Sequence, residues 1–223
     1  INCSTVHEWA YFARKIQDAG ADALELNIFL LPSDLYQSAE NIEHTYLSII
    51  RSVRKELHIP LSVKMSYYFS NLAAMIAELS HTNIAGLVLF NRMYSPDIDI
   101  EKMAITSSGV LSSPKDLPVS LRWIAIMANR VKCDLAASTG VHDGKAVVKQ
   151  LLAGATAVQV VSALYENGPE YLQTMVNELS DWMDRKNFKK IEDFRGLLSQ
   201  EKQMNPALFE RVQFMKYFSD REA

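Results

Sequence analysis

The chain has 223 residues, 48% of them apolar, and a formal net charge of −3, which is enough material for one large core without cross-links. It lacks the basic excess typical of nucleic-acid-binding proteins, and no apolar run approaches the roughly 18 residues of a membrane span. Its two cysteines, Cys3 and Cys133, form no CxxC pair, so we predict a cytoplasmic protein without disulfides or a metal site.

Short apolar runs alternate with longer amphipathic stretches along the chain. The runs are nearly continuous in apolar residues, as in parallel strands covered on both faces, and predict strands at 22–27, 60–65, 85–90, 133–138 and 156–161. The amphipathic stretches predict helices at 5–18, 40–57, 70–81, 118–131, 144–153 and 169–187, with further helices at 190–198 and 206–218. Ser70 and Asp143 are predicted to cap the third and fifth helices.

This alternation of strands and helices predicts an α/β protein with a parallel sheet. The sheet is either open and doubly wound or closed into an eight-stranded TIM barrel. No GxGxxG motif follows the first strand, and the segment 91–132 is too long for a simple crossover, so we favour the (β/α)8 barrel. Ile1 and Asn2 are predicted to end one further strand, so we expect roughly the first two βα units to precede residue 1.

Polar residues stand at the ends of the predicted strands, where barrel enzymes carry their active sites. Lys64 lies in an apolar strand, PLSVKMSYYF, so its amine extends to solvent between helices, forms a Schiff base, or holds charge against an anionic ligand or cofactor ring. Asn27 and Asn91 each end a strand. They either cap turns or hydrogen-bond a planar polar ligand.

Two small-residue turns, 136–144 and 160–168, follow the last two predicted strands. Such turns are either ordinary βα loops or phosphate sites built from backbone N–H groups. None of the five histidines stands at metal-ligand spacing from a carboxylate or cysteine, and His142 is the one nearest the predicted site.

The sequence resembles the dihydroorotate dehydrogenase family of FMN-dependent barrels. The resemblance is carried by Asn27, VKMSYYF, Asn91, STGVHDGKAVVKQLLAGATAVQVVSAL and ENGPEY, and it runs from about residue 4 to residue 200. The phrases LVLFNRMYSPDIDIE and LRWIAI are typical of a dihydroorotate dehydrogenase-like subgroup that retains the flavin site but lacks the catalytic Cys or Ser. The resemblance implies an FMN-binding barrel domain at 1–200, which is the C-terminal portion of the barrel, and a helical tail at 201–223.

The resemblance also implies roles for individual residues. Lys64 matches a lysine beside the N1–C2=O edge of the flavin, where a cation stabilises the reduced, anionic ring. Asn27, Asn91 and Arg92 occupy substrate-binding positions, with Arg92 where the family has a small hydroxyl residue. The implied cofactor-binding residues are Lys64, Asn91, Ser112, Ser113, Thr139, Gly140 and Ser162. A small-molecule substrate of the pyrimidine type, a role in pyrimidine biosynthesis and a homodimer follow from the same resemblance.

The chain departs from the family at the catalytic position. The family has a Cys or Ser three residues after the strand-end Asn, whereas this chain has Leu30, or Leu31 if the alignment shifts by one. Neither leucine accepts a proton, and Ser33 is the nearest substitute base. Thr139 and Val161 stand where the family has glycine, and a β-branched side chain hinders close approach of a ligand to the backbone.

Several functions therefore stay open. The chain is an FMN-binding oxidoreductase acting on CH–CH groups with its usual base replaced, an active dihydroorotate dehydrogenase with a displaced base, or a non-catalytic ligand-binding barrel. A Schiff-base aldolase using Lys64 is a weaker fourth alternative.

Overall fold

A central sheet of five parallel strands and a separate antiparallel hairpin make up the β-structure of the computed structural model, which describes residues 1–93 and 95–210. The strands are β1 (Leu24–Asn27), β2 (Leu61–Met65), β3 (Gly86–Leu89), β4 (Pro96–Asp99), β5 (Ala104–Ser107), β6 (Asp134–Ala137) and β7 (Ala157–Val158). The sheet has the order β1-β2-β3-β6-β7, and β4 pairs with β5. All five predicted strands are confirmed, the last one over two residues.

Seven α-helices connect these strands in the described residues. They are α1 (Val6–Asp18), α2 (Ala39–Glu56), α3 (Leu72–Ser80), α4 (Leu117–Met127), α5 (Gly144–Ala153), α6 (Ser162–Asn167) and α7 (Tyr171–Arg185). The first six predicted helices are confirmed with ends shifted by a few residues, and α6 was not predicted. Asp143 caps α5 by accepting a hydrogen bond from the Ala146 N–H at 2.7 Å. The cap of α3 is Asn71 rather than Ser70, since the Asn71 side chain accepts from the Ala74 N–H.

The predicted helix 190–198 is wrong. Residues Ile191–Asp193 form one 3-10 turn, and turns follow it. The backbone N–H groups of Gly196 and Leu198 bond to carbonyls at the end of α5, so they are not available for a helix of their own. Meanwhile Phe194 is fully buried against two aromatic side chains of the α7 region, and this packing outweighs local helix propensity.

The predicted helix 206–218 begins as a 3-10 turn at Pro206–Leu208. Its part beyond residue 210 lies outside the described residues. Within the part of the chain that the structure describes, no helix combines the length and the apolar character needed to cross a membrane.

The two faces of the sheet differ in polarity. In β2, Leu61, Val63 and Met65 are buried in the core, whereas Ser62 and Lys64 alternate with them toward the other face. The same alternation in β1 buries its two leucines and leaves Glu25 and Asn27 on the polar face. Since successive strand side chains point to opposite faces, these strands follow the alternating pattern rather than the double-sided burial inferred from the sequence.

The sheet is strongly curved. In a flat sheet the outer strands β1 and β7 would lie four strand spacings, or about 19 Å, apart. Gln159, directly after β7, nevertheless donates a hydrogen bond to Glu25 of β1 over 2.7 Å. Only a sheet that curls around its polar face brings these side chains together, which favours the barrel over the open sheet.

The hydrogen-bond ladder continues beyond β1 at the start of the chain. The amino group of Ile1 donates to the Glu25 carbonyl over 2.6 Å, and the Asn27 N–H donates to the Ile1 carbonyl over 2.8 Å. Ile1 thus hydrogen-bonds to β1 as a neighbouring parallel strand does, as predicted. The described residues form part of a (β/α)8 barrel.

Candidate functional site

A cleft of about 200 Å³ lies at the carboxyl ends of the strands. It gathers most of the residues predicted to bind a cofactor or substrate, namely Lys64, Asn91, Arg92, Ser112, Thr139, Gly140 and Ser162. Ser113 is not among them, because it is exposed and bonds to Asp116 at the start of a 3-10 turn (Pro114–Asp116). The sheet register explains the convergence, since parallel strands end at the same edge of the sheet.

Lys64 is held on the polar face by two residues that the sequence analysis missed. Its ammonium donates to the Gln159 side chain over 2.9 Å, and Gln159 in turn donates to Glu25 over 2.7 Å. Burial lowers the pKa of Lys64, and the negative charge of Glu25 partly offsets this. The ammonium therefore does not extend to solvent between helices. Glu25 was detectable as the inward-facing neighbour of Asn27 in LELN.

Asn27 and Asn91 contact each other. The Asn91 amide donates to Asn27 Oδ1 over 2.5 Å, and the Asn91 N–H extends the sheet by bonding to the Met65 carbonyl. Asn91 lines the cleft, whereas Asn27 lines neither the cleft nor the larger cavity beside it. Asn27 therefore orients Asn91 in the structure.

A second cavity of about 360 Å³ adjoins the cleft and shares four of its residues, Asn91, Arg92, Ser138 and Thr139. Aromatic and aliphatic side chains form much of its wall, including Leu31, Tyr67, Tyr68, Phe90 and Val119. The rings of Tyr67 and Tyr68 stack with centroids 4.7 Å apart, and the ring of Phe90 meets Tyr67 edge-on. Planar walls of this kind suit a flat ligand.

Arg92 lines both cavities. Its Nη1 donates to the carbonyls of Gly109 at 3.2 Å and Val110 at 2.7 Å, which lie just beyond the hairpin β4–β5. Its Nε lies 3.9 Å from Asp116 Oδ2, so a carboxylate already compensates part of its charge, and its remaining N–H groups are suited to a polar or anionic group on a ligand.

The two leucines of the loop after β1 lie in different environments, Leu30 against the core and Leu31 at the second cavity. Ile28 is 1% exposed and Leu30 packs against the core. Leu31 is 52% exposed and lines the second cavity. Ser33 is exposed, with its N–H bonded to the Leu31 carbonyl, and it lines neither cavity. Of Leu30, Leu31 and Ser33, Leu31 is thus the one that lines the second cavity.

Tyr46 of α2 hydrogen-bonds to the backbone at the start of this loop. Its hydroxyl donates to the Ile28 carbonyl over 3.1 Å, and its side chain is fully buried. We expect Tyr46→Phe to lower the free energy of unfolding by about 1–2 kcal/mol, because a buried carbonyl loses its partner. Urea unfolding measures this, with Tyr36→Phe as the control, because Tyr36 is 96% exposed. Equal effects of the two substitutions would contradict the prediction.

The same tyrosine predicts a pH dependence. Burial raises the pKa of Tyr46 above its ordinary value of 10.0. The folded state thus retains the phenol proton more strongly, and this contribution to stability is complete below pH 10.0 and is lost as the pH rises through the folded-state pKa. The free energy of unfolding of Tyr46→Phe should therefore fall less steeply with rising pH than that of the wild type. Urea unfolding curves recorded at pH 9 and above measure this difference.

Two consecutive residues at the far end of the cleft, Thr139 and Gly140, have positive φ angles. Thr139 has φ +79° and Gly140 has φ +78°, so Thr139 keeps the left-handed conformation that glycine adopts freely. A Cβ at Gly140 would lie 2.2 Å from the Leu117 nitrogen, so close packing against α4 also requires glycine there. Val161 lines the cleft and is 57% exposed, so its side chain borders the open space at this end.

Hydroxyl groups surround this end of the cleft. The Ser112 N–H and Oγ both lie 2.9 Å from Ser162 Oγ, and the Gly140 N–H donates to Ser112 Oγ over 3.3 Å. Two further residues, His142 and Glu166, adjoin these serines. His142 was predicted to lie near the site. Glu166 was not predicted, because it lies on α6, which the sequence did not indicate.

The donor set fits FMN at both ends. The hydroxyls of Ser112 and Ser162, which line the cleft, suit a phosphate, and the ammonium of Lys64 at the polar face of the sheet suits the electron-rich edge of a flavin ring.

Comparison with known proteins supports this assignment. The chain is 25% identical over 198 residues to the catalytic subunit of dihydroorotate dehydrogenase B (NAD(+)) from Thermoplasma volcanium, covering 85% of this chain and 64% of that protein. It is 27% identical over 211 residues to the same subunit from Alkaliphilus oremlandii, covering 87% and 65%. The chain thus spans just under two thirds of these relatives.

A solved structure shares the fold. Dihydroorotate dehydrogenase from Eimeria tenella, in complex with ferulenol, superposes with a TM-score of 0.67 at 19% identity, covering 87% of this chain and 58% of that one. The model of the family described as dihydroorotate dehydrogenase matches residues 1–183. The chain therefore belongs to the dihydroorotate dehydrogenase family.

Proposed function

We propose that this chain is the FMN-binding part of an oxidoreductase that acts on CH–CH groups other than that of dihydroorotate. The observation that carries the proposal is the apolar loop after β1, where Leu31 lines the second cavity and Leu30 packs against the core. Neither side chain takes a proton, so the substrate must need no protein base at this position.

FMN, when bound, supplies the redox chemistry of the site. Lys64, whose position is fixed by Gln159 and Glu25, would hold a positive charge beside the flavin ring and so stabilise negative charge on it. Asn91 and Arg92 hydrogen-bond the polar edge of the substrate, and the aromatic wall of Tyr67 excludes water from the reacting face. An anionic substrate with a polar edge satisfies these groups, and pyrimidine carboxylates other than dihydroorotate belong to that class.

The test is anaerobic mixing of the FMN-loaded, full-length protein with dihydroorotate. We expect flavin absorption near 450 nm to stay at its oxidised level, because no side chain removes the substrate proton. Addition of dithionite serves as the control, since it must bleach the same sample. Bleaching by dihydroorotate would contradict the proposal, and a protein that cannot be reconstituted with FMN would refute the flavin assignment.

A working dihydroorotate dehydrogenase is the second candidate. Retention of Lys64, Asn27 and Asn91 at one edge of the sheet favours it, and Ser33 would have to serve as the base after a movement of its loop. Bleaching in the same experiment would support this candidate. The homodimer implied by the sequence resemblance stays a prediction.

A further inference from the structure

A third cavity, which we call the outer cavity, adjoins the second cavity on the side of α2. Its volume is about 480 Å³, within the range of about 300–1,000 Å³ that is usual for small-molecule sites. The rings of Tyr67 and Tyr68 line both cavities, so this stacked pair forms a wall common to the two. No described residue lines both the outer cavity and the cleft, and the outer cavity is therefore separate from the predicted cofactor site.

Three consecutive aromatic residues between β2 and α3, Tyr67, Tyr68 and Phe69, form one side of the outer cavity. Phe69 is held by the buried Tyr46, whose ring it meets edge-on with the centroids 5.3 Å apart. Tyr67 and Tyr68 are held by their mutual stacking, yet they stay 38% and 36% exposed. The rings are thus fixed before a ligand arrives, and binding against them requires little further ordering of side chains.

Glu43 of α2 is the charged residue that lines the outer cavity. Its side chain is half-buried, and among the described residues it takes part in no ion pair. The carboxylate therefore brings a negative charge without a cationic partner to a cavity walled by aromatic rings.

The chain around the outer cavity contains no lysine or arginine. Segments 28–50 and 66–80 supply all of its lining residues, and their charged side chains are all acidic, namely Asp34, Glu40, Glu43 and Glu78. His44 is the one imidazole of these segments, and it is exposed and does not line the cavity. The positive partial charge at the start of α2 is opposed by Glu40 in the first turn. The balance of charge is therefore negative here, whereas Arg92 lines the second cavity.

We propose that the outer cavity binds a small organic cation of the quaternary ammonium type, with its methyl groups against the three aromatic side chains and its charge near Glu43. The faces of aromatic rings attract cations, and cages of aromatic side chains recognise quaternary ammonium groups. A neutral ligand would leave the Glu43 charge without a partner, and an anion would be repelled by it. The inference needs neither FMN nor a substrate, so it stands apart from the proposed function.

Choline and its neutral isostere, 3,3-dimethyl-1-butanol, provide the test. The two molecules have the same shape, but only choline carries a charge. We expect choline to bind the full-length protein about 10-fold more tightly than the isostere, because attraction to the rings and to the carboxylate acts only on the cation. Proton NMR titration measures both affinities. The N-methyl resonance of choline should move upfield on binding, since the faces of aromatic rings shield nearby protons.

Two substitutions separate the role of the carboxylate from that of the rings. Glu43→Gln should weaken choline binding about 3–5-fold, as expected for a partly exposed ion pair, and should leave binding of the isostere unchanged. Tyr68→Leu should weaken choline binding about 5-fold or more and reduce the upfield shift. Tyr68→Phe keeps the aromatic ring and should retain most of the affinity and of the shift. Circular dichroism shows whether each variant remains folded.

Glu101→Gln and Tyr36→Leu are the matched controls. Glu101 and Tyr36 are exposed, and neither lines the outer cavity, so neither substitution should change choline binding. Equal affinities for choline and the isostere, or equal effects of Glu43→Gln and Glu101→Gln, would overturn the inference. The absence of saturable choline binding would overturn it as well.

Flavin loading distinguishes the outer cavity from the cleft. Choline affinity should be the same in the FMN-loaded and the FMN-free protein, because no described residue lines both sites. Displacement of choline by FMN would place choline in the cleft, which would overturn the inference and leave the flavin assignment intact. A protein that binds choline as expected but binds no FMN would support the inference and refute the flavin assignment.

Discussion

Leu31→Cys is expected to raise the rate of flavin reduction by dihydroorotate about 100-fold over the wild type. Leu31 lines the second cavity beside Asn91 and Arg92, and a correctly placed general base contributes about 10²–10⁴-fold to such a step. Because a thiol loses its proton near pH 8.5, the rate should climb as the pH rises from 7 toward 9. Anaerobic stopped-flow absorbance of the FMN-loaded protein measures both effects.

Leu30→Cys and Leu35→Cys provide the comparison for this result. Leu30 packs against the core, and Leu35 is 93% exposed and lines neither cavity, so neither variant should gain activity. A gain in Leu30→Cys alone would mean that the loop places residue 30, not residue 31, over the substrate. No gain in Leu31→Cys would locate the defect in the substrate pocket instead of the missing base.

Lys64→Met is expected to lower the two-electron midpoint potential of the bound flavin by about 20–90 mV. A unit charge a few ångströms from developing negative charge is worth roughly 1–4 kcal/mol, and about 1.4 kcal/mol corresponds to 30 mV for a two-electron couple. Methionine keeps most of the side-chain length and removes the charge, so packing changes little. Redox titration against a dye of known potential measures the shift.

Lys149→Met is the matched control for this substitution. Lys149 is exposed on α5, in a groove between α5 and α7 outside the cleft, so its loss should leave the flavin potential unchanged. An unchanged potential in Lys64→Met would show that the ammonium does not face the cofactor ring, whatever the FMN affinity of that variant.

The elements of the fold were largely predictable because their signals are local. Apolar runs marked the five strands, and Asp143 marked the start of α5, since a cap bonds to a residue three positions away. Residues 190–198 were wrongly predicted as a helix because Phe194 is buried against residues of the α7 region, and the helical periodicity of a segment does not report such a partner.

The residues of the candidate site at the strand ends were predictable from the sequence, whereas the residues that hold them in place were not. Lys64 and Asn91 were identified because a polar residue at the end of an apolar strand is unusual. Glu25 and Gln159, which hold Lys64, were missed because each is an ordinary polar residue in its own segment. The sequence also left Leu30 and Leu31 equivalent, and only the packing of the loop separates the leucine that contacts the core from the one that lines the second cavity.

The sequence by itself determined the order of strands and helices, the family, and the residue types available for chemistry. The tertiary structure alone decided the curvature of the sheet, the partners of Lys64 and the contact between Ser112 and Ser162 at the cleft. The physical reason is distance along the chain: Glu25 and Gln159 are 134 positions apart and hydrogen-bond over 2.7 Å. Contacts of this kind form only when the sheet closes its polar face around them, and no local pattern encodes which side chains will then meet.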